Sequence, residues 1–421
     1  MKKTIGLITL GLPVSVLIYL SGLQATGNLA LIPPECQVKK WDLPTPKTTP
    51  TLIQRTPVTC CQNDISCLDD AIFNSDKQGL LTAIDRSLGY LQTQAATKAY
   101  QKYPITGITR DRVLQSLLRF RELLLTTNSA TELQQAVEKE FVFYQSIGND
   151  SQGTVLFTAY FEPLYLASRI PTPEFRYPVY RQPPNLASWP LPHPTRLELE
   201  GADGLQGSKG KLKGLELFWL RDRLEPYMIQ IQGSARLQLT DNTQATINYA
   251  GNTAYTYKSI GRELINDGKL PQKGVTMPKI LDYFQKYPQD LNIYIPRDSS
   301  FVFFRETYGA PAQGSIGVPI TAERSIATDK SLMPPGALAL IRAPFPFIDN
   351  SNKVEHRIIS RFVLDQDTGG AIKGAGRVDY FLGTGKIAGD RAGLTVSNGH
   401  LFYLLLKPKK IQSLSNQNTT N

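Results

Sequence analysis

The sequence predicts an α+β fold, mainly β, in which a helical opening gives way to two β-rich barrels. Apolar residues recur at one-face helical spacing between residues 68 and 148. From residue 154 onward the pattern turns to short β-branched and aromatic runs bounded by turn residues. These runs are not regularly interleaved with helices, which argues against Rossmann and TIM-barrel architectures. A hydrophobic share of 41% and a charged share of 19% exclude a disordered chain and a coiled coil.

Taken in order, Lys2 and Lys3 precede an apolar stretch from Ile5 to Leu23, and no charge falls between Lys3 and Glu35. A basic start followed by an apolar core is the form of an export signal. Residues 1–30 therefore read as a signal peptide or a retained inner-membrane anchor, with the bulk of the chain carried across the membrane to the periplasm or its outer face. No cysteine directly follows the apolar run, where lipid attachment would need one. Residues 31–67 read as a Pro- and Thr-rich tether. They hold all four cysteines, Cys36, Cys60, Cys61 and Cys67. In an exported protein such a cluster reads as disulfides, and the spacing lacks the paired C-x-x-C hooks of a zinc knuckle.

Leu80, Leu81, Ile84, Leu88 and Leu91 make one helical face, and Val113, Leu114, Leu117, Leu118 and Leu124 a second. A third helix opens on the capping pair Ser129 and Glu132 and is expected to run through Leu133, Val137, Phe141 and Tyr144 to Gly148. Strands are expected at Thr154–Phe161, Leu215–Leu220 and Tyr227–Gln232. A hairpin should join Arg236–Leu239 to Ala245–Tyr249 across Asp241-Asn242-Thr243. Helices follow near Lys258–Asn266 and Pro278–Lys286. Strands resume at Phe301–Phe304, Ala337–Arg342, Ile358–Leu364 and His400–Leu406. The polar residues 409–421 read as a disordered tail.

The net charge of +10 suits an anionic polymer: nucleic acid, anionic lipid or acidic cell-wall glycan. Export disfavours nucleic acid, and none is expected as a partner. Three His and four Cys leave few ligands for a zinc or iron enzyme, so neither metal nor cofactor is expected. Asp365–Gly376 starts like a calcium loop but has Gly369 and Gly376 where oxygen ligands belong. Gly383-Thr384-Gly385-Lys386 lacks the leading Gly and trailing hydroxyl of a P-loop. No G-x-S-x-G elbow and no H-E-x-x-H occur.

The densest chemistry lies between residues 364 and 393, with eight Gly and four Asp. Such loops can hold carboxylates at the floor of a groove or simply turn a barrel corner. This stretch resembles the three-aspartate "3D" signature of the MltA family, the membrane-bound lytic murein transglycosylases A. Thr158-Ala159-Tyr160-Phe161-Glu162-Pro163 with Ala167-Ser168-Arg169 is similar to the family's entry motif. Ile229–Ser234, Asn248–Asn252 and Tyr257–Gly261 resemble its central domain. Ser300–Phe304 and Pro319–Ala327 with Pro334-Pro335-Gly336 continue the series in order.

The resemblance implies a double-ψ β-barrel carrying an inserted second β-barrel domain, with a glycan groove between them. It would place helices and the first part of the double-ψ barrel in 68–164, the inserted substrate domain in 165–309 and the remaining barrel, or 3D domain, in 310–408. It implies cleavage of the β-1,4 bond between N-acetylmuramic acid and N-acetylglucosamine of peptidoglycan, leaving a 1,6-anhydromuramic end. Asp379 would be the single catalytic carboxyl, with Asp367 and Asp390 shaping the site. A lone carboxyl suffices because the sugar's own 6-hydroxyl is the nucleophile, an intramolecular attack of high effective molarity. Asp379 must then start protonated, with its pKa raised by burial or by Asp367. Gln230, Gln232 and Ser234 alternate with Ile229 and Ile231, so one strand face should meet sugar hydroxyls and acetamido groups. Tyr160, Tyr255 and Tyr257 could stack on sugar or pack in the core, Phe161 is expected to pack, and Lys373 joins the site-shaping set. A glycan-binding protein that does not cut, and a murein hydrolase that admits water, are the alternatives.

Overall fold

The computed structural model describes residues 51–55, 69, 71–72, 76–349, 351 and 353–408. The signal or anchor, the tail, and the tether's four cysteines lie outside the described residues. Part of the tether is not a tether: β1 (Leu52–Arg55) pairs antiparallel along its length with a later strand, Ser146 to Phe143. Four helices follow: α1 (Lys77–Leu91), α2 (Gln94–Gln101), α3 (Arg110–Thr126) and α4 (Ala130–Glu140). The last three start where sequence dictates. Thr93, Thr109 and Ser129 each accept a backbone N–H three residues on, satisfying a donor the helix leaves unpaired. The third expected helix is shorter than its apolar spacing suggested. It stops at Glu140, and β2 (Phe141–Ser146) takes over, because Phe141 to Tyr144 are all buried between β1 and the last strand.

β3 (Val155–Glu162) leads directly into a second sheet. That sheet is built by β4 (Leu164–Ser168), β5 (Tyr177–Tyr180) and, after α5 (Arg196–Glu200), β6 (Glu216–Leu220). Next comes α6 (Leu224–Gln232), in place of the strand expected at Tyr227–Gln232. Residues 226–230 are buried without alternation, which a two-residue period cannot produce. Gly233, at φ 82, ends the helix in the left-handed region that suits glycine. The expected hairpin forms as β7 (Ser234–Leu239) and β8 (Gln244–Asn252), with Gln238 opposite Gln244. After α7 (Ile260–Asn266), α8 (Met277–Lys286) and α9 (Leu291–Tyr294), β9 (Val302–Glu306) closes this half. The strand order is β5-β6-β4-β7-β8-β9, and Arg181, just past β5, bridges to Phe304 of β9. Leu217, Phe218, Leu237 and Ile247 fill its core.

The chain then returns through β10 (Ser325–Ala327), β11 (Leu338–Ile348), β12 (Val354–Asp367) and β13 (Arg377–Thr384), then α10 (Lys386–Leu394) and β14 (Val396–Leu406). The order β14-β11-β12-β10-β13-β3 closes on itself, since β3 also pairs with β14. Two of its pairs, β10–β12 and β13–β3, are parallel. This mixed six-stranded closure is the double-ψ barrel. β14 serves three neighbours in turn: β3 with residues 396–399, β11 with 400–403 and β2 with 402–406. At the crossover a Cβ on Gly399 would lie 2.3 Å from the carbonyl oxygen of Arg342, so only glycine fits. Helices α1 and α3 lie on β12 and β14 and share their core.

Candidate functional site

The 3D stretch is not a set of loops. It spans the end of β12, a connection over 368–376, β13 and α10, and Asp379 stands on a strand. The pleat decides what faces what. On β13, Val378 and Tyr380 enter the main core, while Phe381 packs with Tyr160 of β3 in a separate small cluster. Asp379 shares the Phe381 side of the strand, and Thr158 shares the Tyr160 side of β3. Register places Asp379 beside Thr158 on one flank and beside Ala327 of β10 on the other. Ala327 in turn neighbours Asp367 of β12. Thr158, Asp379, Ala327 and Asp367 therefore form one row across four strands. Two strand spacings separate the aspartates, roughly 10 Å between backbones.

The Thr158 hydroxyl donates to Asp379 Oδ1 at 2.6 Å, and Arg377 Nη2 donates to Thr158 Oγ1 at 3.1 Å. Lost hydration pushes the Asp379 carboxyl up to about 6. The Thr158 hydrogen bond and the Arg377 charge oppose that push, and Asp367 adds to it. Asp367 is differently placed. Tyr160 Oη donates to its Oδ2 at 2.8 Å, and the backbone N–H groups of Ser315 and Thr368 both donate to its Oδ1 at 2.8 Å. Burial raises its pKa while these three donors pull back. Behind it Lys330 donates to the carbonyl of Asp367 and to the fully buried carboxylate of Asp365. Tyr403 Oη and Thr328 Oγ1 complete the hold on Asp365 Oδ2, at 2.7 and 2.8 Å.

The other expected residues divide. Tyr160 is buried, its hydroxyl on Asp367 and its ring 5.2 Å from Phe381, so it orders the row and offers no face to a sugar. Phe161 packs against the main core as expected. Tyr257 is half-buried, and a Cβ built on Gly370 would lie 3.6 Å from its Cβ, so the connection after β12 lies against it. Lys373 is exposed within that connection, where the next N–H, of Gly374, is held by Asp329 at 2.9 Å. Tyr255 donates to the carbonyl of His193 at 2.5 Å. Asp390 lies on α10 and pairs with the exposed Lys386 at 2.6 Å; it is not among the groups acting on Asp379.

The polar face drawn over Gln230, Gln232 and Ser234 does not exist, because the first two are helical. Gln230 is buried, taking Arg196 Nη2 at 2.8 Å and the N–H of Val302 at 3.2 Å. Gln232 Oε1 accepts the N–H of Phe161 at 3.0 Å and so ties α6 to β3. Ser234 is buried at the start of β7. Glu162 makes a second junction. It is buried, and accepts Arg236 Nε from the second sheet and Thr384 Oγ1 from β13, each at 2.8 Å. Sequence reasoning passed over Thr158 and Arg377 as site residues. Thr158 sits two positions before Tyr160, on the same face of a strand, and that spacing was the signal available.

Fold and site together define a double-ψ barrel protein with an inserted second sheet and a paired-aspartate row on the barrel wall. Residues 156–305 match the family description "MltA specific insert domain" and residues 324–405 the "3D domain". The membrane-bound lytic murein transglycosylase A of Escherichia coli K12 is 31% identical over 267 residues, covering 63% of this chain and 69% of that one. A crystal structure of a membrane-bound lytic murein transglycosylase from Agrobacterium tumefaciens superposes with TM-score 0.63 at 26% identity, covering 80% of this chain and 95% of its own. The E. coli MltA structure with bound chitohexaose gives TM-score 0.61 at 25% identity, covering 78% and 90%. The chain belongs to the membrane-bound lytic murein transglycosylase A family.

Proposed function

We propose that this protein cleaves the β-1,4 bond between N-acetylmuramic acid and N-acetylglucosamine in peptidoglycan without water, leaving 1,6-anhydromuramic acid. The observation that carries the reading is the asymmetry of the two aspartates. Among the described residues Asp379 has one hydrogen-bond donor, and it holds its proton to about pH 6. Asp367 has both oxygens taken by protein donors, which leaves it a poor nucleophile or water-activating base. Ordinary glycosidases need two working carboxyl groups. One suffices here if the attacking hydroxyl belongs to the substrate.

Asp379 first gives its proton to the leaving glycosidic oxygen. The resulting carboxylate then takes the proton of the muramic 6-hydroxyl as that oxygen closes on C1, and the acid is restored. Arg377, acting through Thr158, fixes the carboxyl's orientation. On this reading residues 165–309 are the substrate domain inserted between 68–164 and 310–408, and Tyr257 and Lys373 line the glycan path. The relative bound to chitohexaose supports a glycan strand as ligand. The apolar start of the sequence supports action on the outer side of the inner membrane. No helix among the described residues is long and apolar enough to cross a membrane.

The test is a digest of purified murein by this protein and by its Asp379→Ala variant, read by mass spectrometry. Anhydro-muropeptides from the wild type alone are expected. Reducing-end products would mean a hydrolase, and equal products from the variant would remove Asp379 from the chemistry.

A further inference from the structure

The helical corner of the inserted half holds a pocket of about 650 Å³ that shares no residue with the Asp379 row. One wall is a single face of α8, where Lys279, Asp282, Tyr283 and Lys286 recur at helical spacing, with Tyr287 just past its end. The facing wall is the turn after α7, which carries Lys269. The geometry is fixed from beneath: Ile280 and Phe284 of α8 pack with Leu264 and Tyr294 in a core of their own.

Three lysines thus border one cavity. Lys279 uses one donor on the carbonyl of Gly274 at 2.7 Å. Neither the Lys269 nor the Lys286 ammonium makes a hydrogen bond or an ion pair among the described residues, and Lys269 acts on Asp267, itself paired with Arg297, only through its charge. Two acids stand among them. Asp290 is held by the Tyr283 hydroxyl, and Asp282 is exposed. Tyr287 is 48% exposed, its ring 5.0 Å from that of Tyr283.

This mixture selects a ligand. Unpaired ammonium groups ask for carboxylate or phosphate. A purely anionic group would meet the two acids as well, which opposes phosphate. A ligand carrying both signs satisfies lysines and aspartates at once, and the tyrosine rings cover its aliphatic part. The volume lies in the range of small-ligand sites, about 300–1,000 Å³. We propose that this pocket binds the peptide side chains of murein, short peptides bearing carboxylates and a free amine. The assignment rests on the murein reading above and adds to it a second contact with the same polymer.

The test is calorimetric titration of the purified protein with three probes: a free murein tetrapeptide, an N-acetylglucosamine hexamer and inorganic phosphate. The tetrapeptide is expected to bind, more weakly as salt rises. The Lys269→Ala/Lys286→Ala double variant should lose at least tenfold in that affinity and leave the hexamer's unchanged. Both side chains are exposed, so an unchanged thermal midpoint verifies folding. No tetrapeptide binding at millimolar concentration, binding unaltered in the double variant, or displacement of the peptide by equimolar phosphate would each overturn the assignment. So would loss of hexamer affinity, which would place these lysines on the glycan path. Titration reads binding and not turnover, so a failed murein digest and a failed peptide site are separate results.

Discussion

Asp379 meets two demands that pull in opposite directions. On the proposed mechanism it must keep a proton near neutral pH and must also lie open to a substrate. Half-burial on the barrel wall meets both, with lost hydration raising its pKa to about 6. The rate should therefore fall as pH rises through about 6, because the acid form disappears; a kcat/KM profile on soluble murein fragments measures that limb. A limb at the ordinary carboxylate value would refute the role. The same shift acts on stability. The unfolded chain releases this proton near 3.8 and the folded chain only near 6, so the fold loses stability as pH rises between those values. Asp379→Asn should be inactive yet more stable than the wild type at pH 8, by about 1–3 kcal/mol, with the gap closing below pH 4. Denaturant unfolding at the two pH values reads this. Thr158→Val removes the one donor on the carboxyl. The pH limb should move upward and kcat should fall roughly 10–100-fold through lost orientation.

At the scale of elements, single contacts decide whether the barrel closes. Gly399 lets β14 pass from β3 to β11 against the Arg342 carbonyl. Gly399→Ala should destabilise the protein by several kcal/mol, because backbone faces backbone and neither can yield; a lowered thermal midpoint in calorimetry is the expected result. Elements also show what sequence could reveal. The β7–β8 hairpin was legible because Asp241-Asn242 can turn at the positive φ that Asn242 adopts, 67°. The helix over Leu224–Gln232 was not, since Ile229 and Ile231 flanking Gln230 read equally as a strand. Only the unbroken burial of residues 226–230 distinguishes the two. Phe141 to Tyr144 misled the other way. Their apolar spacing extended a helix, but their partners Val142–Leu405 and Phe143–Leu404 come from the far end of the chain. The 3D stretch stood out by composition, yet its division into strand, connection, strand and helix follows from pairings with β3 and β10 that no local pattern announces. The hold on Asp367 by Tyr160 and Ser315 was invisible for the same reason.

Across the whole molecule, long-range polar contacts join what the sequence separates. Arg324, fully buried, donates to Asp69 and to the carbonyl of Phe362, and Asp69 also accepts the N–H of Phe362 at 2.8 Å. This fastens the segment before α1 to the barrel. Asp69→Ala strands part of a buried guanidinium and should cost about 3–5 kcal/mol in denaturant unfolding. The hydrogen bond between Thr158 and Asp379 spans 221 positions of chain, with the whole inserted sheet between its ends. That separation sets a schedule. A growing or threading chain that has delivered β3 holds Thr158 alone, and Asp379, the proposed acid, arrives only with β13, near the end of the described residues. Until the last strand has wrapped back onto β3, the proton-holding environment of Asp379 has not been assembled. On the proposed mechanism, a wall-cutting chain is therefore without its acid for almost the entire time that it is being made.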